Sequence, residues 1–150
     1  MINMGTEKKV KTVLWIYKHE ILPAQALLLS EKLGDFKIVM FRDKVPSAEW
    51  LLKNVILPRE VDIIVIPVLP LSIIARLFDL SKRYGFEIWW AQMELIHIDY
   101  SENCPEFDHK RDIMVPGVNL GGKRIWRHYR FKGFYRVKGI KGIKMELERV

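Results

Sequence analysis

Short apolar runs alternate with segments of helical periodicity over the first two-thirds of the chain. The runs at 13–17, 36–41, 61–69 and 86–91 (VLWIY, FKIVMF, VDIIVIPVL and FEIWWA) predict four strands. Between them, apolar residues recur every three or four positions, which is typical of helices with one buried face. The third run is almost continuous, as in strands that are covered on both faces of a parallel sheet.

Proline and glycine residues indicate where these elements end. Pro23 suits the first turn of a helix that Gly34 ends, and a later helix is bounded by Pro70 and Gly85. A shorter helix lies between the second and third predicted strands. Because Pro67 cannot donate a hydrogen bond to a strand ladder, we expect the third strand to end just before it.

The order of these elements, β-α-β-α-β-α-β, predicts a Rossmann-like, three-layer α/β fold with a parallel sheet. Residues 10–99 are its expected core, and the polar, aperiodic residues 100–112 are a loop. Residues 113–150 alternate with a period of two and predict a basic antiparallel β-hairpin or meander that turns within 139–142. We expect one domain over 1–150, since a chain of this length can bury a single core.

The composition excludes several classes of protein. Nearly half of the residues are hydrophobic and the charges are spread along the chain, so disorder is not expected. No apolar run reaches the roughly 18 residues that a membrane helix needs, so no membrane partner is expected. Residues 1–11 lack the apolar centre of a signal peptide and predict a frayed lead-in to the first strand. The single cysteine, Cys104, excludes an internal disulfide and is typical of a reducing cytoplasm.

Positive charge is concentrated near the C-terminus. The formal net charge of the chain is +7, whereas residues 121–150 alone carry +8. Such a basic region favours a nucleic acid or a phosphorylated ligand, and the alternative is a solvated strand face in a charge-rich, thermophile-like protein. Aromatic residues alternate with these cations, as in single-stranded nucleic-acid binders, but a sheet with an aromatic inner face has the same alternation. The candidate nucleic-acid contacts are Arg124, Arg127, Arg130, Lys132 and Arg136.

Familiar nucleotide-binding and hydrolase motifs are absent from the sequence. It contains no G-x-G-x-x-G, no G-x-x-x-x-G-K-[ST], no G-x-S-x-G and no H-E-x-x-H. Motif-based assignments therefore have no support, and the remaining signal is the position of polar residues at the ends of the predicted strands.

Polar residues follow the carboxyl ends of the predicted strands, where ligands bind in open α/β sheets. Cations beside helix N-termini favour a phosphate group, because exposed N–H groups and the helix dipole attract anions. His19 is the natural proton-transfer group there, since its ordinary pKa lies near neutrality, and the alternative is a polar turn residue. The expected site has His19 and Lys18 as catalytic residues, and Gln25, Arg42, Lys44 and Ser72 as ligand-binding residues.

A second group of polar residues has metal-ligand chemistry but an unfamiliar spacing. Six residues separate His97 from Cys104, and four separate Cys104 from His109, with Asp99 and Asp108 close by. These intervals match no standard structural zinc motif. We therefore predict no metal and no cofactor.

The segment HEILPAQ, which follows the first predicted strand, resembles the turn into the first helix of small CRISPR-accessory proteins of the ring-nuclease-like type. The matching positions are His19, Pro23 and Gln25, with Ile21 and Leu22 in the apolar slot. The VDIIVIPVLP stretch is similar in style, and the likeness covers about 60 residues. The resemblance implies a Rossmann-like homodimer that binds or cleaves a cyclic oligoadenylate without a metal. The basic C-terminal region has no counterpart in that family.

These observations lead to one main functional hypothesis and two alternatives. The main one is binding, with metal-independent cleavage, of a nucleotide or cyclic oligonucleotide phosphate at the carboxyl ends of the strands. In that mechanism Lys18, Arg42 and Lys44 stabilise developing negative charge and His19 handles the proton. The alternatives are a non-enzymatic DNA- or RNA-binding accessory protein that uses the basic strands, and a module that dimerises through its aromatic C-terminal strands.

Overall fold

Four helical segments and seven strands make up the fold in a computed structural model that describes residues 10–67 and 69–150. Residues 1–9 of the expected lead-in, and Val68 of the third predicted strand, lie outside the described residues. The strands are β1 (Lys11–Trp15), β2 (Phe36–Met40), β3 (Ile63–Ile66), β4 (Glu87–Asp99), β5 (Asp112–Val118), β6 (Arg124–Lys141) and β7 (Lys144–Arg149). The helices are α1 (Pro23–Leu33), α2 (Ala48–Leu51), which continues into a π-helical turn (Leu52–Ile56), and α3 (Leu71–Tyr84).

All seven strands belong to one mixed sheet in the order β2-β1-β3-β4-β6-β5, with β7 paired to β6 beyond the end of β5. Strands β1 to β4 pair in parallel, whereas β6 runs antiparallel to each of its three neighbours. The predicted parallel, Rossmann-like three-layer fold is therefore wrong. Strands account for 41% and helices for 24% of the described residues, and the sheet curls into a half-barrel.

The length and placement of β6 explain why the predicted fold class is wrong. This strand has 18 residues and pairs directly with β4, which has 13, so the antiparallel strands are half of the sheet and not an addition at its edge. Register shifts at Gln92/Met93 and at Leu95/His97 interrupt the pairing of β4 with β6. Such irregularities increase strand bending and twist, which suits the curvature of this half.

Alternating side chains of β1 and β3 face two separate apolar layers. Leu14 and Ile16 pack with residues of α2 and α3, whereas Val13 and Trp15 pack with residues of α1 on the other face. All four residues of β3 are buried in the same alternating way. Burial on both faces is what the continuous apolar run of β3 requires.

The helix α3 has the properties expected of an amphipathic surface helix. Ile74, Leu77 and Leu80 are buried against the sheet, at the spacing of one helical face. Gly85 ends the helix in the left-handed conformation with a φ of 78°, and its N–H donates to the Ser81 carbonyl at 2.9 Å. Only glycine adopts this conformation without strain. Among the described residues, the helices are too short or too polar to cross a membrane.

Candidate functional site

Two cavities share lining residues at the carboxyl ends of β1 and β3. Tyr17, His19 and Pro67 line both of them. The first, which we call the rim cavity, has a volume of about 550 Å³ and is also lined by Lys18, Arg42, Asp43, Lys44 and apolar residues of the adjacent turns. The second, the aromatic cavity, has a volume of about 520 Å³ and is completed by Trp90, Ala91, Met93, Ile113, Val115 and Tyr129.

The rim cavity is lined by the cations that were predicted to lie at the carboxyl ends of the strands. Lys18 follows β1, and Arg42 and Lys44 follow β2, which pairs with β1 in parallel. All three side chains are exposed. The Arg42 guanidinium lies 4.0 Å from the carboxylate of Glu20, in a solvent-exposed ion pair. Such a pair contributes little, so it leaves the cations available to an anionic ligand.

His19 lies between the two cavities with one ring nitrogen engaged. Its Nδ1 lies 2.6 Å from the carbonyl oxygen of Glu20, which assigns the proton to Nδ1 and the lone pair to Nε2. The Nε2 atom is buried and has no hydrogen-bond partner among the described residues. A buried acceptor without a partner is costly unless a ligand or a water donates to it.

Tyr17 forms the partly buried wall between the two cavities. Its hydroxyl donates a hydrogen bond to the Ile66 carbonyl at 2.6 Å, and its ring contacts those of Trp15 and His19. Burial raises the pKa of the Tyr17 phenol well above its ordinary value, because the phenolate would lose its hydration. The neutral hydroxyl is therefore the form that holds the end of β1 against β3.

We expect Tyr17 to ionise only above pH 10, the ordinary value for a phenol. The absorbance of the tyrosines, followed against pH, should contain a late step that the Tyr17→Phe variant lacks. Because the pKa of Tyr17 is higher in the folded chain than in the unfolded chain, the stability linked to its neutral hydroxyl is fully present below about pH 10. This stability is lost as the pH rises towards the folded pKa. A titration curve that is unchanged in Tyr17→Phe would contradict this expectation.

Two of the predicted ligand-binding residues lie elsewhere. Gln25 is fully buried in the first turn of α1, where its Oε1 accepts from the Leu22 N–H at 2.8 Å and its Nε2 donates to the Met93 sulfur at 3.7 Å. Ser72 is exposed in the first turn of α3 and is not one of the residues that line the rim cavity. Their role in ligand binding stays a prediction, but Gln25 already serves to cap α1.

The cations predicted to bind nucleic acid mostly have partners within the chain. Arg130 forms two hydrogen bonds with Asp112, and Arg136 bridges Glu87 and Glu148. Lys132 lies 3.8 Å from Glu94. Arg124 covers the ring of Trp126 and Arg127 packs across Gly117. The basic region therefore presents less free positive charge than its sequence suggests.

A cluster of three potential metal ligands, which we call the His–Cys cluster, lies where β4, β6 and the loop at 100–111 meet. His97 Nε2 lies 2.9 Å from Cys104 Sγ and 3.1 Å from His128 Nδ1, and Cys104 Sγ lies 3.5 Å from His128 Nδ1. His97 and His128 are cross-strand partners in β4 and β6. His109, which the spacing suggested, instead contacts the ring of Phe107.

A carboxylate lies beside the outer nitrogen of each histidine in this cluster. His128 Nε2 lies 2.6 Å from Asp112 Oδ2, and both side chains are fully buried. Burial raises the pKa of Asp112. Hydrogen bonds from Arg130, from the Asp108 backbone N–H and from His128 have the larger combined effect and hold that pKa below its usual range. His97 Nδ1 lies 2.9 Å from Asp99 Oδ2, at ion-pair distance but without the alignment of a hydrogen bond.

Sequence reasoning missed His128 and the role of Asp112. Alternation marked His128 only as a strand residue and Asp112 was predicted to be the last residue of the loop, 31 and 15 positions away from His97. The pairing of β4 with β6, and of β6 with β5, brings them together. The signal available in the sequence was a polar residue at a strand position expected to be buried. The partner of such a residue cannot be identified without the order of the strands.

Comparisons with known proteins identify no relative. No protein-family model, no curated protein and no solved structure matches the chain. The resemblance of HEILPAQ to ring-nuclease-like proteins stays a prediction. The function therefore has to be argued from the geometry of the two cavities and the His–Cys cluster.

Proposed function

We propose that the rim cavity and the aromatic cavity together bind a nucleotide or oligonucleotide. The observation that carries this proposal is the position of His19, which lines both cavities and has a buried, unpartnered Nε2. A hydroxyl or amine of a nucleotide would supply the missing hydrogen bond. A cytoplasmic location and a homodimeric state belong to the same proposal.

The aromatic cavity has the size and lining that a nucleobase requires. Trp90, Tyr129 and Tyr17 provide aromatic surface, and Met93, Ile113 and Val115 provide apolar walls. Stacking of a base on an aromatic side chain contributes about 1–3 kcal/mol per base and is tolerant of base identity. Its volume of about 520 Å³ lies within the range of small-molecule sites.

The rim cavity provides positive charge next to that aromatic surface. Lys18, Arg42 and Lys44 line the opening of the cavity, whose other lining residues are mostly apolar. An apolar interior lowers the local dielectric, so a phosphate at this opening interacts with the cations more strongly than it would in open solvent. Asp43 contributes one opposing charge, which leaves a net positive rim.

The same arrangement would allow RNA cleavage without a metal ion. His19 Nε2 accepts the proton of a ribose 2′-hydroxyl, whose oxygen attacks the adjacent phosphorus. The bond between phosphorus and the leaving 5′-oxygen then breaks, that oxygen takes a proton from water, and a 2′,3′-cyclic phosphate forms. Lys18 and Arg42 stabilise the charge that develops on the phosphoryl oxygens.

Substitutions at His19 and Arg42 test this proposal. The probes are linear and cyclic oligoadenylates, with EDTA present. The His19→Ala variant should cleave them at least about 100-fold more slowly than wild type. Arg42→Ala should weaken binding of the same probes about tenfold, since it removes a phosphate contact. Binding is measured by fluorescence anisotropy and cleavage by chromatography of the products.

His109→Ala is the matched control, because this histidine lies on the opposite side of β5 and β6 from the aromatic cavity, beside Phe107. It should leave binding and cleavage unchanged. If His19→Ala and Arg42→Ala bind the probes as tightly as wild type does, the proposed binding site is wrong. Binding without any cleavage would restrict the protein to recognition and exclude the catalytic part of the proposal.

The alternative of a nucleic-acid-binding face on the basic strands has less support, because Arg130, Arg136 and Lys132 have acidic neighbours. It predicts binding of generic duplex DNA that weakens steeply with salt. A replacement of Arg124 and Arg127 together tests it, since both lack an acidic neighbour among the ion pairs of the described residues. Duplex binding that is lost in this variant would favour the alternative.

A further inference from the structure

We propose that the His–Cys cluster is a zinc site, in which His97 Nε2, Cys104 Sγ and His128 Nδ1 bind one Zn²⁺ and Glu106 closes the fourth position. This site is separate from the nucleotide cleft, and the proposal does not depend on it. Tyr129 lines the aromatic cavity, whereas its neighbour His128 belongs to the cluster. Successive strand residues point to opposite faces, so the two sites lie on opposite faces of the sheet.

The spacing of the three ligand atoms suits a single ion. Two nitrogens bound to the same tetrahedral Zn²⁺ lie about 3.3 Å apart, and a nitrogen and a sulfur about 3.6 Å apart. The distances here are 3.1 Å between the nitrogens, and 2.9 and 3.5 Å from the sulfur to His97 and His128. A small outward movement of Cys104, which lies in a loop, brings the shortest of them to the expected value.

One ring nitrogen of each histidine faces the Cys104 sulfur. His128 donates from Nε2 to Asp112, which leaves Nδ1 as an acceptor. His97 Nδ1 lies beside Asp99 without a hydrogen bond, and its Nε2 faces Cys104 Sγ and His128 Nδ1. Two ring nitrogens and a thiol therefore converge on one point. A cation at their centre satisfies all three, because a thiolate and two neutral imidazoles are ligands for zinc.

Arg130 organises the surroundings of this site. Its guanidinium binds both oxygens of Asp112, at 2.8 and 2.9 Å, and so fixes the carboxylate that orients His128. The same guanidinium donates to the Glu106 carbonyl at 3.1 Å, which places the loop next to the ligands. A carboxylate behind a ligating histidine, itself held by further hydrogen bonds, is characteristic of metal centres, and Asp112 has this position behind His128.

Glu106 is the nearest further donor, and its chemistry favours zinc. Its Oε2 lies 3.7 Å from His97 Nε2, and its side chain is 72% exposed, so it is free to move the short distance to the ion. Two imidazoles, one thiolate and one carboxylate form a mixed donor set that suits Zn²⁺. Magnesium and calcium prefer oxygen ligands alone.

The metal would connect the loop to the sheet. Cys104 and Glu106 are loop residues, whereas His97 and His128 belong to β4 and β6. Because a metal site of this kind exists only in the folded chain, the free energy of binding adds to that of folding. We therefore expect zinc to raise the melting temperature and to protect backbone amides of residues 100–111 from exchange.

Metal analysis of the untagged chain tests the proposal. Wild type should retain about one zinc per chain after gel filtration, whereas Cys104→Ser and His97→Gln should retain less than about a tenth of that. Both substitutions are at partly exposed positions, so they are less disruptive than a change at the buried His128. With Co²⁺ in place of zinc, wild type should show a thiolate-to-cobalt charge-transfer band that Cys104→Ser lacks.

His109→Gln is the matched control, since it removes a histidine of the same loop that packs on Phe107 and is not one of the three clustered ligands. It should bind zinc as wild type does. Asp112→Asn tests the positioning role and should weaken zinc binding about 10- to 100-fold in a chelator competition assay. Glu106→Gln should weaken it about tenfold, and an unchanged affinity would overturn Glu106 as the fourth ligand.

Two results would overturn the proposal as a whole. One is a wild-type chain that binds zinc no more tightly than Cys104→Ser and His97→Gln do, in which case the cluster is a hydrogen-bonded triad. The other is a preference for copper with no competing zinc binding, since that would reassign the metal. Oligoadenylate binding should be the same with and without zinc, so failure at one site leaves the other unaffected.

Discussion

Asp112→Ala is expected to lower the free energy of unfolding by about 3 kcal/mol. The Asp112 carboxylate is fully buried and receives hydrogen bonds from Arg130 and, through Nε2, from His128. Its removal leaves a guanidinium and a buried imidazole without their acceptor. We expect the lower end of the range for broken buried pairs, because Arg130 is 20% exposed and can be partly solvated.

This loss is measured by urea denaturation with EDTA present, so that any metal contribution is excluded. Glu94→Ala is the control, because the Glu94 carboxylate is half-exposed and lies 3.8 Å from Lys132 in a surface ion pair. Its removal should change the free energy by about 0.5 kcal/mol or less. An equal effect of the two substitutions would mean that Asp112 has no special role in holding β5 to β6.

Phe134→Ala should destabilise the fold by about 3–5 kcal/mol, because it leaves a cavity in the layer that joins the two halves of the sheet. Phe134 is 1% exposed, and its ring contacts Trp15 of β1, Trp89 of β4 and Phe131 of β6. It thus connects the parallel strands to the antiparallel ones. The measurement is the urea midpoint, with one transition expected for the whole chain.

Ile143→Ala provides the comparison for Phe134. This apolar residue lies in the turn between β6 and β7 and is 89% exposed, so its removal should change stability by less than about 0.5 kcal/mol. Two separate transitions in Phe134→Ala would show that the parallel and antiparallel halves unfold independently. A change as small as that of Ile143→Ala would contradict the role assigned to Phe134.

Several features of the site followed from local sequence. Lys18, Arg42 and Lys44 meet at one cavity because β1 and β2 are parallel and adjacent, so their carboxyl ends share an edge. Gln25 and Ser72 could not be placed by the same reasoning. The direction of a side chain in the first turn of a helix depends on how that helix packs, and Gln25 turns inwards to cap α1.

The His–Cys cluster shows the opposite case. Spacing along the chain associated Cys104 with His97 and His109, but the structure brings His128 to Cys104 and turns His109 towards Phe107. Ligands from neighbouring strands need no fixed interval in sequence, because strand register alone sets their distance. A search for short motifs therefore cannot find such a site.

The sequence by itself determined the position of most helices and strands, since hydrophobic periodicity and the residues Pro23, Gly34 and Gly85 act locally. Only the tertiary structure decided the fold class, because β6 pairs along β4 and makes the sheet mixed and curled. That pairing depends on contacts between residues 27 to 47 positions apart, which no local pattern encodes. The same pairing placed His97 beside His128 and closed the aromatic cavity with Tyr129.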